Sequence, residues 1–127
     1  MTVLTKSVYA QLCDLLHPAL DHPRPEIAEA GSLCEWPVGV YSLGHRHPAS
    51  NRLEIDYVGS AVRPGGDMAD RIREHLRTPA RATRFTCQVI FPLKTGTPDS
   101  EARTLEGRVA RALGVPAWCE RIPGGRS

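Results

Sequence analysis

Apolar residues recur at helical spacing between Thr5 and Leu20, where Val8, Leu12, Leu15, Leu16, Ala19 and Leu20 form one stripe. The pattern predicts an amphipathic helix, broken by His22, Pro23, Arg24 and Pro25. A polar stretch runs on to Ser32, and Glu26 to Ala30 is expected to add a further turn of helix. The period then shortens to two. Val38 to Leu43 and Arg52 to Val58 read as strands, the second with Leu53, Ile55 and Tyr57 on one face and Glu54, Asp56 and Val58 on the other. The segment from Gly44 to Asn51, rich in His, Pro and Ser, joins them as an antiparallel hairpin.

Gly65 and Gly66 close the next loop, and Asp67 is placed to cap a helix from Met68 to about Arg77, which Thr78 and Pro79 end. Arg84 to Phe91 alternates with apolar residues on both faces, so a third strand is expected at the centre of the sheet or beside it. Thr97 and Pro98 open a last helix whose inward stripe is Ala102, Leu105, Val109 and Ala112, and Gly114 stops it after Leu113. Beyond it Trp118 and Ile122 are expected to pack. The expected architecture is α+β: a three-stranded, mainly antiparallel sheet flanked by helices. Residues 1–35 form a helical extension packed on a core spanning 36–122, and 123–127 form a frayed tail.

A chain of 127 residues suits one domain with a modest core. No continuous apolar run approaches the roughly 20 residues that span a bilayer, and the first twenty residues lack a signal-peptide pattern, so a cytoplasmic protein without membrane contact is expected. Cys13, Cys34, Cys87 and Cys119 are widely separated, which argues against a zinc ribbon or redox pair. The net charge of +2 is mild, yet Lys6 and Lys94 are the only lysines beside many arginines. Codon usage in a GC-rich genome would produce this bias. So would a need for guanidinium forks, which pair with phosphate oxygens in a bidentate way.

Four features carry chemistry in sequence order. They are Gly39-Val40-Tyr41 on the first strand, Tyr57-Val58-Gly59 on the second, Arg71 and His75 four residues apart on one helix face, and Glu106 inside the last helix. With Ser60-Ala61 after the second tripeptide and the helix Asp70-Arg71-Ile72-Arg73-Glu74-His75-Leu76, this order and spacing resembles the GIY-YIG nuclease superfamily over roughly Trp36 to Ile122. Family members commonly carry an asparagine after the last helix. Here the only asparagine is Asn51, in the hairpin loop, and Trp118 to Arg121 occupy that region.

The resemblance implies a small α+β nuclease domain that hydrolyses phosphodiesters, DNA above all, with one divalent metal, Mg²⁺ or Mn²⁺. On that reading Tyr41 takes the proton of the attacking water, with His75 as onward acceptor, and Tyr57 contacts the phosphate or positions the water. Arg71 stabilises the charge of the transition state, and Glu106 holds the metal. Glu106 is preferred to Glu101, which sits in the first helical turn where the dipole alone favours a carboxylate. Arg63, Arg73, Arg77, Arg81 and Arg84 surround the first core helix and could follow a nucleic-acid backbone, or simply form a solvated, salt-bridged face. His45 and His47 form an HxH pair in reach of a metal or of substrate. Two alternatives stand beside a DNA endonuclease. One is a nucleic-acid-binding module with weak catalysis. The other is an effector or defence nuclease that needs a protein partner or a second copy, docked through the N-terminal helix.

Overall fold

The computed structural model describes residues 2–21, 26–34, 36–63, 66 and 68–115. The expected cap at Asp67, the loop glycine at Gly65, packing by Trp118 and Ile122 and the frayed tail lie outside these residues. In chain order the elements are β1 (Thr2–Val3), α1 (Lys6–Leu16), β2 (Glu26–Glu29), β3 (Val38–Arg46), β4 (Leu53–Val62), α2 (Ala69–His75), α3 (Pro79–Arg84), β5 (Cys87–Pro92) and α4 (Asp99–Leu113). The architecture is α+β with an antiparallel sheet and helices on both faces.

Among the described residues the sheet has five strands rather than three, in the order β1-β4-β3-β5-β2, and every neighbouring pair is antiparallel. The extra strands come from the N-terminal segment and occupy the two edges. Glu26–Glu29, expected as a helical turn, pairs instead with β5, Glu26 opposite Ile90 and Glu29 opposite Cys87. So short a segment cannot meet the cost of nucleating a helix alone, whereas a ready strand edge supplies its backbone hydrogen bonds. Buried Gln88 secures the loop beyond it, accepting from the Gly31 amide at 2.8 Å and donating to the Ser32 carbonyl at 3.0 Å.

α1 stops at Leu16, short of the expected Leu20, because Pro18 cannot continue the helical hydrogen bonds and restricts the residue before it. Its stripe packs inward, with Leu12 and Leu16 fully buried against α4 and the sheet, while Lys6, Ser7, Ala10, Gln11 and Asp14 face solvent. The core helix expected over Met68 to Arg77 is shorter, and Pro79 begins α3 rather than only ending α2. Arg84 consequently closes a helix, and the third strand starts at Cys87. α4 matches the expected span and ends at Gly114, whose φ of 68° is left-handed. Its inward face differs in one respect: Ala112 is exposed, and Glu106, Gly107, Ala110 and Leu113 join Ala102, Leu105 and Val109 inside.

Strict alternation fails in β4, with a consequence for the site. Leu43 pairs with Tyr57 but Gly44 pairs with Ile55, so Asp56 is an extra residue, a β-bulge. Leu53 and Ile55 therefore join Val38 and Val40 on the α1/α4 face, while Tyr57 joins Tyr41 on the α2 face. Without the bulge Tyr57 would follow Leu53 and Ile55 to the opposite side. Gly44 makes the bend possible, since a Cβ there would stand 2.0 Å from the Glu54 carbonyl oxygen.

Candidate active site

Tyr41 comes from the central strand and is wholly buried. Its register partner is Gly59, and a Cβ at Gly59 would lie 2.4 Å from the Tyr41 ring and hydroxyl, so the phenol lies flat across β4 only because that position is glycine. Gly39 serves the same site differently: a Cβ there would meet the Met68 methyl at 2.6 Å, so its absence lets α2 approach the sheet. The glycines of both tripeptides thus have steric reasons specific to this packing.

α2 delivers His75 onto the two tyrosines. The Tyr41 hydroxyl and His75 Nε2 are 2.6 Å apart, a short buried hydrogen bond. The Tyr57 ring meets the imidazole edge to face at a centroid distance of 5.6 Å and stacks on Phe85 at 5.9 Å. Burial pushes His75 down to about 4, and the cations of Arg71 and Arg81 add to the effect while Glu74 opposes it. The imidazole is therefore neutral at physiological pH. Burial also holds the Tyr41 phenol well above its ordinary range. Arg71, which hydrogen-bonds the phenol, pulls the value down, whereas Glu106 and Tyr57 push it up.

Arg71, Tyr57 and His75 thus gather around one phenol, on which Glu106 acts as a charge. Glu106, on the inward face of α4, is 1% exposed, and the Ser60 hydroxyl donates to its Oε1 at 2.6 Å; Ser60 pairs with Val40, on the sheet face that packs against α1 and α4. Glu101 is exposed in the first turn of α4. Among the described residues no group of three or more His, Cys, Asp or Glu converges as a metal cage.

The arginines expected to follow a backbone are carried by α2, by α3 and by the segments before and between these helices. Arg63 pairs with Glu74 at 3.0 Å, and Arg73 pairs with Asp70 at 3.1 Å and donates to the Gly31 carbonyl. Arg77 is exposed, and Arg81 is half-buried near His75. Arg84 lies 3.8 Å from Asp56 and 5.7 Å over the Phe85 ring. His45 and His47 do not act as a pair. His45 Nδ1 is 2.7 Å from the Asp56 carboxylate, whereas His47 Nδ1 accepts from the Ala49 and Ser50 amides and caps the hairpin loop.

Sequence reasoning passed over Glu74, Ser60 and Asp56. For Glu74 a signal existed, because it stands three residues after Arg71 on the same helical face, and the two side chains meet at 3.0 Å. Ser60 and Asp56 gave none, since their roles follow from the bulge and from where α4 docks. Comparison with protein-family models, with curated proteins and with solved structures gave no match to this chain.

Proposed function

We propose that this protein is a metal-dependent nuclease of the GIY-YIG type, cutting phosphodiester bonds of DNA. The observation that carries the reading is the 2.6 Å contact of one phenol, Tyr41, with His75, beside Arg71 on the same helix. Such a cluster offers a proton path and a fixed cation around one oxygen, which is what in-line displacement at phosphorus uses, and Glu106 on α4 supplies the buried carboxylate of the family pattern.

The high affinity of Tyr41 for its proton disfavours a preformed phenolate. Tyr41 acts instead as a relay: the attacking water gives a proton to the phenol oxygen while the phenolic proton passes to neutral His75 Nε2. The new O–P bond forms as the leaving oxygen departs and takes a proton from solvent. Arg71 binds the phosphate and neutralises its growing charge, and the phosphate's own negative charge offsets the share of the His75 shift that the Arg71 cation adds to that of burial. Tyr57 sets the imidazole plane through its edge-to-face contact. A divalent ion on Glu106, Mg²⁺ or Mn²⁺, would polarise the phosphate and stabilise the leaving oxygen. The arginines of α2 and α3 would contact the backbone on either side.

One observation favours a second reading, a nucleic-acid-binding module with little or no catalysis: both Tyr41 and Glu106 are almost completely shielded from solvent. The two readings separate in one experiment. Labelled single-stranded, duplex and branched DNA, and RNA, are incubated with Mg²⁺, Mn²⁺ or chelator and with wild type, Tyr41→Phe, Arg71→Ala or Glu106→Gln. Metal-dependent cutting by wild type alone supports the nuclease, and salt-sensitive binding by folded wild type without cutting supports the module.

A further inference from the structure

Arg71, Glu74 and His75 occupy one face of α2, and Glu74 is the member to which the chemistry above gives no task. Its carboxylate is divided between two guanidiniums: Oε1 accepts from Arg71 at 3.0 Å and Oε2 from Arg63 at 3.0 Å. Arg71 also hydrogen-bonds the Tyr41 phenol. An arginine side chain has four rotatable torsions, and its planar fork delivers charge to a chosen point only when something fixes that plane. Surface ion pairs add little to stability, and here the Glu74 side chain is about one-third exposed. A bridge of this kind therefore matters more for direction than for folding free energy.

We infer that Glu74 is a positioning residue that holds the Arg71 guanidinium against the Tyr41 phenol, on the strength of its 3.0 Å bond to Arg71 and its anchorage through Arg63. The inference rests on the nuclease reading and adds a residue to it. Glu74 touches neither substrate nor reacting atoms. It supplies the back wall of the arginine, and Arg63 in turn pins the carboxylate from the turn after β4.

The test is a double-mutant cycle on cleavage of labelled DNA with Mg²⁺, using wild type, Glu74→Ala, Arg71→Ala and the double variant, with Glu74→Asp as the conservative change. Glu74→Ala is expected to lower kcat about tenfold or more. KM should stay level or fall, because a negative charge leaves a basic surface. Adding Glu74→Ala to Arg71→Ala should cost nothing further, since the residue acts only through Arg71. Glu74→Asp should recover part of kcat. Additive losses in the cycle, or a loss of activity that follows melting temperature, would overturn the inference. A second readout does not depend on cleavage. Nitrogen-15 spectra of the arginine side chains should show hindered rotation of the Arg71 guanidinium in wild type and its release in Glu74→Ala. A wild type that cuts nothing removes the nuclease reading, and the spectra then decide the positioning role alone: an unhindered Arg71 in wild type sinks it.

Discussion

The two faces of the sheet are built from the same three central strands but to different ends. On the α1/α4 side the buried cluster consists of aliphatic side chains and Phe91, closed by two amphipathic helices. On the α2 side the cluster holds Tyr41 and Tyr57 among its apolar members, covers buried His75 and carries arginines at its rim. The first face obtains its stability from area removed from water, which is non-directional and tolerant of sequence. The second depends on a few directed contacts whose polar atoms are costly to bury unless paired. One face holds the fold together with the buried carboxylate of Glu106; the other gathers Tyr41, Tyr57, Arg71 and His75.

The largest effect that can break this division is on activity. Tyr41→Phe should lower cleavage by a factor of about 10²–10⁴ in a single-turnover assay while the protein stays folded by circular dichroism. A loss of stability rivalling that of a core deletion would mean that the α2 face also carries the fold. On the opposite side Phe91→Ala, at a position with no solvent exposure, should cost about 3–5 kcal/mol in urea unfolding. The turnover of its folded fraction should be near that of wild type.

A third expectation sharpens the contrast through pH. His75 titrates near 6.5 when unfolded and is pushed down to about 4 when folded. Between these values the unfolded chain binds the extra proton, so stability rises with pH across the window. The contribution is complete above about 6.5 and is lost as pH falls toward 4, by up to about 3 kcal/mol. His75→Leu should flatten that limb of the stability profile. An unchanged limb would show that burial of the imidazole is not what sets it. The smallest effect concerns the rim: Arg73→Ala breaks an exposed pair with Asp70 and should move stability by less than about 1 kcal/mol. It should reduce the salt slope of DNA binding by about 1, read from binding isotherms at several salt concentrations.

Periodicity alone located α1, the β3–β4 hairpin, α2, β5 and α4, because each carries enough apolar residues in register to declare its inward face. The candidate site residues were legible for a different reason. Tyr41, Tyr57, Arg71, His75 and Glu106 each read singly as ordinary packing or surface residues and were picked out by the resemblance of their order and spacing to a nuclease family, while helical spacing put Arg71 and His75 on one face before any packing was known. Glu26–Glu29 was not legible, since four residues with one large apolar side chain cannot state a period. Its conformation is borrowed from the free edge of β5.

Order, approximate length and the inward faces of the main elements were therefore determined by the sequence, through local rules that act over a few residues. Tertiary structure alone decided the five-strand order, the bulge at Asp56 that turns Tyr57 toward Tyr41, and the Glu74 bridge between Arg63 and Arg71. The same is true of the steric need for glycine at position 59. Each of these depends on which surfaces meet in space. A single extra residue in one strand changes the side of the sheet on which every following side chain emerges, and no pattern within that strand announces it.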